Sequence, residues 1–311
     1  MKELLKVEKL TISFADRKVV EDVSFSVYEG EILGIVGESG SGKTITSLSV
    51  IRMTPESAKV EGSVIFNGKE IMKLPEEEIR KIRGKEISLI TQNPHSAFNP
   101  VFKVGYQVVE PVLIHYGVSP KQAKKQAMEV FVKLGISEPE MRLNSYPHEL
   151  SGGMKQRAVI SIAILTGSKL IIADEPTTAL DPTIASQILK LLRNLVEETK
   201  KSIIFISHDI SAVGWISDRI AVMYGGWIVE IGKSKDILNK PFHPYTKALI
   251  EAIPGRKIKP KPIPGSPLDI NWKGCRFAKR CEFARTDCFE KNIDVKTFDS
   301  RSVRCLYPLI Q

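Results

Sequence analysis

Eight residues carry the plainest chemistry in this chain: Gly37-Glu38-Ser39-Gly40-Ser41-Gly42-Lys43-Thr44. Before them, Glu31 to Val36 read as a buried strand, and after them Ile45 to Arg52 read as the start of a helix. Strand, glycine loop and helix in that order form a phosphate-binding P-loop. The glycines let successive N–H groups curl around an anion, and the positive end of the helix points at the same place. Lys43 then reaches the β- and γ-phosphates, and the Thr44 hydroxyl sits on Mg²⁺. A phosphate cradle alone hydrolyses nothing; it needs a carboxylate for the metal and a group to orient water. Asp174 and Glu175, ending the apolar run Leu170-Ile171-Ile172-Ala173, supply both.

These groups need elements to hold them. Lys6–Ser13 and Val23–Tyr28 alternate like strands around a turn at Asp16-Arg17, with Phe14 just before it, either a core aromatic or a flat face for a base. Gly62–Phe66 reads as a strand running into the turn Asn67-Gly68. A short charged helix follows Pro75, and Ile87–Thr91 is a strand ending at Gln92. Residues 93–100 are broken by prolines, and the pattern from Gln107 to Lys133 is helical. The motif Ser151-Gly152-Gly153-Met154-Lys155-Gln156-Arg157 precedes an apolar helix, Ala158–Leu165. Helix 181–200 leads to a strand ending at His208, and Ile220–Tyr224 with Trp227–Ile231 predicts a terminal hairpin. The alternation from 85 to 210 argues for an α/β core.

At this point the chain resembles the ATP-binding subunits of ABC transporters, whose signature Leu150–Arg157 matches closely. The resemblance implies a P-loop ABC-type ATPase core over 1–253, with a helical lobe at about 93–165. It implies Gln92 as the Q-loop glutamine on Mg²⁺ and water, Ala179-Leu180-Asp181 as the D-loop, His208 on the γ-phosphate and Phe14 under adenine. It also implies that Ser151, Gly152 and Gly153 complete the site of a second ABC ATPase subunit, identical or paralogous, in a head-to-tail pair. Asn93–Pro100 and His243-Pro244-Tyr245-Thr246-Lys247-Ala248-Leu249 resemble the oligopeptide and dipeptide importers. That subfamily implies two transmembrane permease subunits receiving motion near 93–116, and an extracytoplasmic solute-binding protein. It places the chain as a peripheral protein on the cytoplasmic face of the membrane, and relatives carry sugars or metal ions as well. A soluble ABC ATPase working on nucleic acid or ribosomes is the rival, although there is one cassette and no long coiled-coil insertion. A metal-sensing regulatory subunit is a second rival.

Bulk properties agree with a soluble enzyme. The chain has 311 residues, 42% of them hydrophobic, with no run long enough to span a membrane and no signal peptide at its start. Five prolines within 254–267 make an extended linker to a C-terminal extension, 254–311. Residues 256–311 carry +7 of the +9 net charge, either a solvated basic face or a surface for anions. All four cysteines, Cys275, Cys281, Cys288 and Cys305, lie there with five, six and sixteen residues between them. These are not the close pairs of a zinc ribbon. The subfamily resemblance favours a [4Fe–4S] cluster, with zinc or free thiols as alternatives. Such a cluster would staple a tail with little core, and the surrounding bases would offset its charge.

Overall fold

The computed structural model describes residues 2–15, 17–94, 96–178, 180–253 and 260–310. Asp16, His95, Ala179 and the start of the linker lie outside the described residues. The chain divides into two compact units, Met1–Lys73 with Phe205–Gln311, and Leu74–Ile204.

The first unit opens with β1 (Glu3–Phe14), β2 (Arg17–Tyr28) and β3 (Ile32–Val36), then α1 (Lys43–Val50), β4 (Ala58–Phe66) and β5 (Lys69–Glu70). In β1, Leu5 and Val7 face the core, an irregularity at Lys9 (φ 49°) shifts the register, and Leu10 and Ile12 face the core beyond it. A four-stranded antiparallel sheet follows in the order β2-β1-β4-β5. The Asn67-Gly68 turn joins its last two strands with both residues at positive φ, as a two-residue hairpin demands.

The second unit holds α2 (Glu76–Ile82), β6 (Ile87–Ile90), α3 (Val104–Tyr116), α4 (Pro120–Lys133), α5 (Pro139–Asn144), α6 (Gly152–Leu165), β7 (Leu170–Asp174), α7 (Pro182–Thr199) and the first half of its boundary strand, β8 (Ser202–Ser207). The helical stretch 107–133 is two helices, because Gly117 takes φ 61 after α3 and Ser119 caps α4 by accepting from the Gln122 N–H at 3.3 Å. Helices α3, α4 and α6 pack together through Val104, Val108, Ala127, Phe131 and Ile160. The strand order here is β8-β7-β6, with β6 and β7 parallel.

The chain returns to the first unit with α8 (Ile210–Ile216), β9 (Arg219–Tyr224), β10 (Trp227–Lys233), α9 (Ser234–Asn239), α10 (Pro244–Glu251), α11 (Asp287–Glu290), β11 (Lys296–Phe298) and β12 (Arg301–Val303). Its larger sheet runs β11-β12-β10-β9-β3-β8. The hairpin β9–β10 is therefore not terminal. β3 pairs in parallel with β9, and β12 continues the sheet beyond β10, with Glu230 opposite Val303. The extension accordingly has core: Ile270, Phe277, Ile293 and Val303 are buried.

Candidate functional site

The first unit holds the phosphate loop. All five residues of β3 are buried, and the chain turns sharply at Gly37. A Cβ on Gly37 would lie 2.1 Å from the Met223 carbonyl, so only glycine fits. Gly40 and Gly42 take φ of 79° and 99°, in the region that glycine adopts without strain. A Cβ at Gly40 would meet nothing within 4 Å, so open space faces the loop there. Ser39 is exposed and Ser41 is buried. Lys43 is buried, and its Nζ donates to the Gly37 and Glu38 carbonyls at 2.8 and 2.9 Å. Thr44 is exposed on the first turn of α1. This cradle fits a nucleotide phosphate chain: backbone amides and an ammonium around open space, at the start of a helix. Phe14 ends β1, half-buried and opposite Arg17 and Ala58. His208 is exposed at the end of β8, beside Asp209, which caps α8 by accepting from the Ser211 N–H at 2.8 Å.

The second unit holds the acids and the signature. Asp174 is buried at the end of β7. Glu175 follows with φ 45°, a left-handed conformation that a side chain of this size seldom takes. Its carboxylate accepts from Thr178 Oγ1 at 2.7 Å and from Gln92 Nε2 at 3.2 Å, so the glutamine and the acid meet. The signature helix begins at Gly152 rather than Ala158. Ser151 is its cap, accepting from the Met154 N–H at 3.3 Å. A Cβ on Gly153 would stand 2.8 Å from Ile184 Cγ2, so the glycine lets the start of α6 approach α7. Asp181 caps α7 by accepting from the N–H groups of Thr183 and Ile184 at 3.1 and 3.0 Å.

The basic tail is divided: Lys261, Lys273, Lys279, Arg285, Lys291 and Lys296 are exposed, while four arginines turn inward. Arg276, Arg280, Arg301 and Arg304 are buried and reach acids elsewhere in the first unit. Arg276 pairs with Glu21 and lies 4.7 Å over both Trp227 and Trp272. Arg280 pairs with Glu38 of the phosphate loop, Arg301 with Glu230, and Arg304 with Asp22. These four guanidinium groups thus have carboxylate partners and are not a counter-charge reserved for a cluster. Nothing in the sequence marks which acids they seek, because the partners are 71 to 282 residues apart.

All four cysteines line one cavity of about 20 Å³, together with Phe277, Phe283 and Tyr307. Burial, reinforced by the other three sulfurs, pushes the Cys275 thiol up to about 12; burial likewise lifts Cys305 to about 11 and raises Cys281. The donor set is soft sulfur and it converges. Among the described residues, however, no group of three or more His, Cys, Asp or Glu side chains is arranged to hold a metal ion, so the cluster expectation gains convergence without coordination geometry. The motif at 243–249 also finds a role. His243 caps α10 through Nδ1, which accepts from the Tyr245 N–H at 3.0 Å, and the Tyr245 hydroxyl accepts from the Glu38 N–H at 3.0 Å. Nothing local in 243–249 signals this link to the phosphate loop, because Tyr245 and Glu38 lie 207 residues apart.

Comparison with known proteins agrees with this geometry. The profile of the ABC transporter family matches residues 20–178, and that of the oligopeptide/dipeptide transporter C-terminal region matches 229–288. The oligopeptide transport ATP-binding protein OppD of Bacillus subtilis (strain 168) is 43% identical, over 93% of this chain and 84% of its own length. The dipeptide transport ATP-binding protein DppD of the same organism is 42% identical, over 98% and 95%. Among solved structures, a post-hydrolysis dimer of an ATP-binding cassette bound to ADP and Pi superposes with a TM-score of 0.66 at 28% identity, covering 74% of this chain and 99% of that one. The structure of cbiO1 from Clostridium perfringens, part of the ABC transporter complex cbiONQ, gives 0.68 at 26%, covering 77% and 92%. The chain belongs to the ABC transporter family, carries the C-terminal region of the oligopeptide/dipeptide branch, and is a transport-coupled ATPase.

Proposed function

We propose that the chain powers an importer of oligopeptides or dipeptides, with oligosaccharides as the next solute class. The observation that carries this reading is the match over 229–288, in a chain 42% identical to a dipeptide transport protein along nearly its whole length. In this reading Gly37, Ser39, Gly40, Ser41, Gly42 and Lys43 hold the phosphates of ATP. Thr44, Gln92 and Asp174 hold Mg²⁺, which when bound neutralises charge developing on the phosphate oxygens. Glu175 orients the attacking water, supported by its bonds from Thr178 and Gln92. His208 senses the γ-phosphate, and Phe14 stacks on adenine. Ser151, Gly152 and Gly153 serve the nucleotide of a second ABC ATPase subunit.

The chain works peripherally, on the cytoplasmic face of the membrane, with two transmembrane permease subunits and an extracytoplasmic solute-binding protein. Among the described residues no helix is long and apolar enough to cross a membrane. Support for permease docking comes from Val101, Phe102, Tyr106 and Ile114, large apolar side chains left exposed, Val101 at 69% and Ile114 at 72%. The test is reconstitution of the complex co-purified from its native membrane. ATP-dependent uptake of labelled peptides, abolished by Glu175→Gln, supports the reading. Uptake of sugars without peptides retires the peptide assignment.

Cys275, Cys281, Cys288 and Cys305 are proposed to hold a [4Fe–4S] cluster, a cross-link for the tail, on the strength of their shared cavity and all-sulfur donor set. Oxygen-free purification is expected to give a brown protein with about four iron and four sulfide per chain. Stoichiometric zinc would replace the cluster, and a metal-free protein would retire it.

A further inference from the structure

Glu38 is the second residue of the phosphate loop, and three groups hold it. Its N–H donates to the Tyr245 hydroxyl at 3.0 Å. Its carbonyl accepts from Lys43 Nζ at 2.9 Å. Its carboxylate is gripped by Arg280 through two parallel bonds, Nη1 to Oε2 at 2.7 Å and Nη2 to Oε1 at 3.0 Å. Arg280 stands in the extension, directly before Cys281, with its side chain 2% exposed. Its own orientation is fixed. Nε donates to the Pro264 carbonyl at 2.7 Å, Nη1 also donates to the Tyr224 hydroxyl at 3.3 Å, and the guanidinium lies 5.6 Å over the Tyr224 ring. Tyr224 and Tyr245 are themselves packed with ring centroids 4.7 Å apart. The tail holds the Glu38 carboxylate, helix α10 holds its backbone N–H, and the hairpin β9–β10 steadies the arginine.

A carboxylate is the wrong charge for a loop that receives a phosphate chain. Unpaired, it repels the incoming anion, and at short range it competes with phosphate for the Lys43 ammonium. A bidentate arginine removes both effects, and only the planar fork does so with two bonds to one carboxylate. We infer that Arg280 is a positioning residue for the phosphate loop: it neutralises and orients Glu38, so that the cysteine-bearing extension sets nucleotide affinity. This stands on membership of the ATPase family. It requires neither the transported solute nor an occupant for the four thiols.

The experiment uses the full chain, with a fluorescent ATP analogue for binding and steady-state hydrolysis for KM and kcat. Arg280→Gln is expected to raise Kd and KM roughly ten- to a hundredfold, the worth of a bond to a charged group, and to change kcat far less. Glu38→Gln removes the unwanted charge itself and serves as the background for the double variant. Adding Glu38→Gln to Arg280→Gln is expected to restore affinity, an outcome that a merely structural arginine would not give. Arg280→Lys, with charge but no fork, falls between the two, and it carries the test if Arg280→Gln does not fold. An Arg280 variant binding ATP within twofold of the parent would overturn the inference. So would a double variant that binds no better than its Arg280 parent.

Discussion

Removing the guanidinium that Glu230 depends on should unfold the first unit at a distinctly lower temperature. Glu230 lies in β10 with no exposed surface. Its carboxylate collects the N–H of Phe242 at 2.8 Å, the N–H of His243 at 2.9 Å, and Arg301 Nη2 and Nε at 2.6 and 3.2 Å. Arg301 also donates to the Lys240 carbonyl and stacks 3.7 Å over Phe242. Arg301→Met keeps an unbranched apolar stem and deletes the charge. Stranding one member of a buried pair costs roughly 3–5 kcal/mol. Two backbone N–H bonds remain on Glu230, so the lower end, about 3 kcal/mol, is the expected loss. In a unit of this size each kcal/mol is worth about 2–4 °C, so the midpoint should fall by roughly 6–12 °C. Denaturant and thermal unfolding followed by circular dichroism measure it. The double variant Glu230→Gln/Arg301→Met carries no buried charge and should recover most of the loss. A change below about 1 kcal/mol in Arg301→Met, or no recovery in the double variant, would refute the reasoning.

Three further outcomes are expected. His243 is fully buried, and burial pushes its pKa down from 6.5 to about 3. The unfolded chain takes up a proton below about 6.5 and the folded chain does not until about 3, so stability is lost as the pH is lowered through that window, by up to about 1.4 kcal/mol per unit. His243→Asn keeps a capping acceptor without the titration; between pH 7 and 5 its urea stability should fall by roughly 2 kcal/mol less than the parent's, and equal losses would sink the assignment. Gly37→Ala forces a methyl group to within 2.1 Å of the Met223 carbonyl, so it should abolish ATP binding and lower stability by about 1–3 kcal/mol; unchanged binding would show that the loop yields. Glu175→Gln should still bind ATP while hydrolysis drops roughly 10²–10³-fold; brisk turnover would remove Glu175 from its role.

The halves of the site differ in how much of them can be read from the sequence. The phosphate loop and the signature are local: spacing alone places glycines where the backbone takes positive φ, as at Gly40 and Gly42. Ser151 followed by two glycines also announces a capped helix, although the apolar pattern at 158 hid that α6 begins six residues earlier. The left-handed turn at Glu175 is not legible, because nothing about a glutamate signals a strained backbone. Strands β11 and β12 are three residues each, too short for periodicity to reveal, and exist because β10 offers them an edge. The tail arginines were legible as charge only. Their burial depends on Glu21, Asp22, Glu38 and Glu230, partners fixed by the folded sheet rather than by any local pattern.

The division of the chain has a consequence for synthesis. Residues 74–204 are contiguous, whereas the unit around them is made of two stretches far apart in the chain, 1–73 and 205–311. At roughly 5–20 residues per second, the N-terminal strands wait seconds to tens of seconds for β9, β10 and β12. Glu38 and Asp22 are made early, and their arginines emerge 242 and 282 residues later. A nascent or truncated chain that stops before residue 276 therefore carries an incomplete sheet and four acids without their guanidinium partners. Residues 276–304 thus act as a check on synthesis, since a chain that stops before them lacks both the strands and the charges that close its fold.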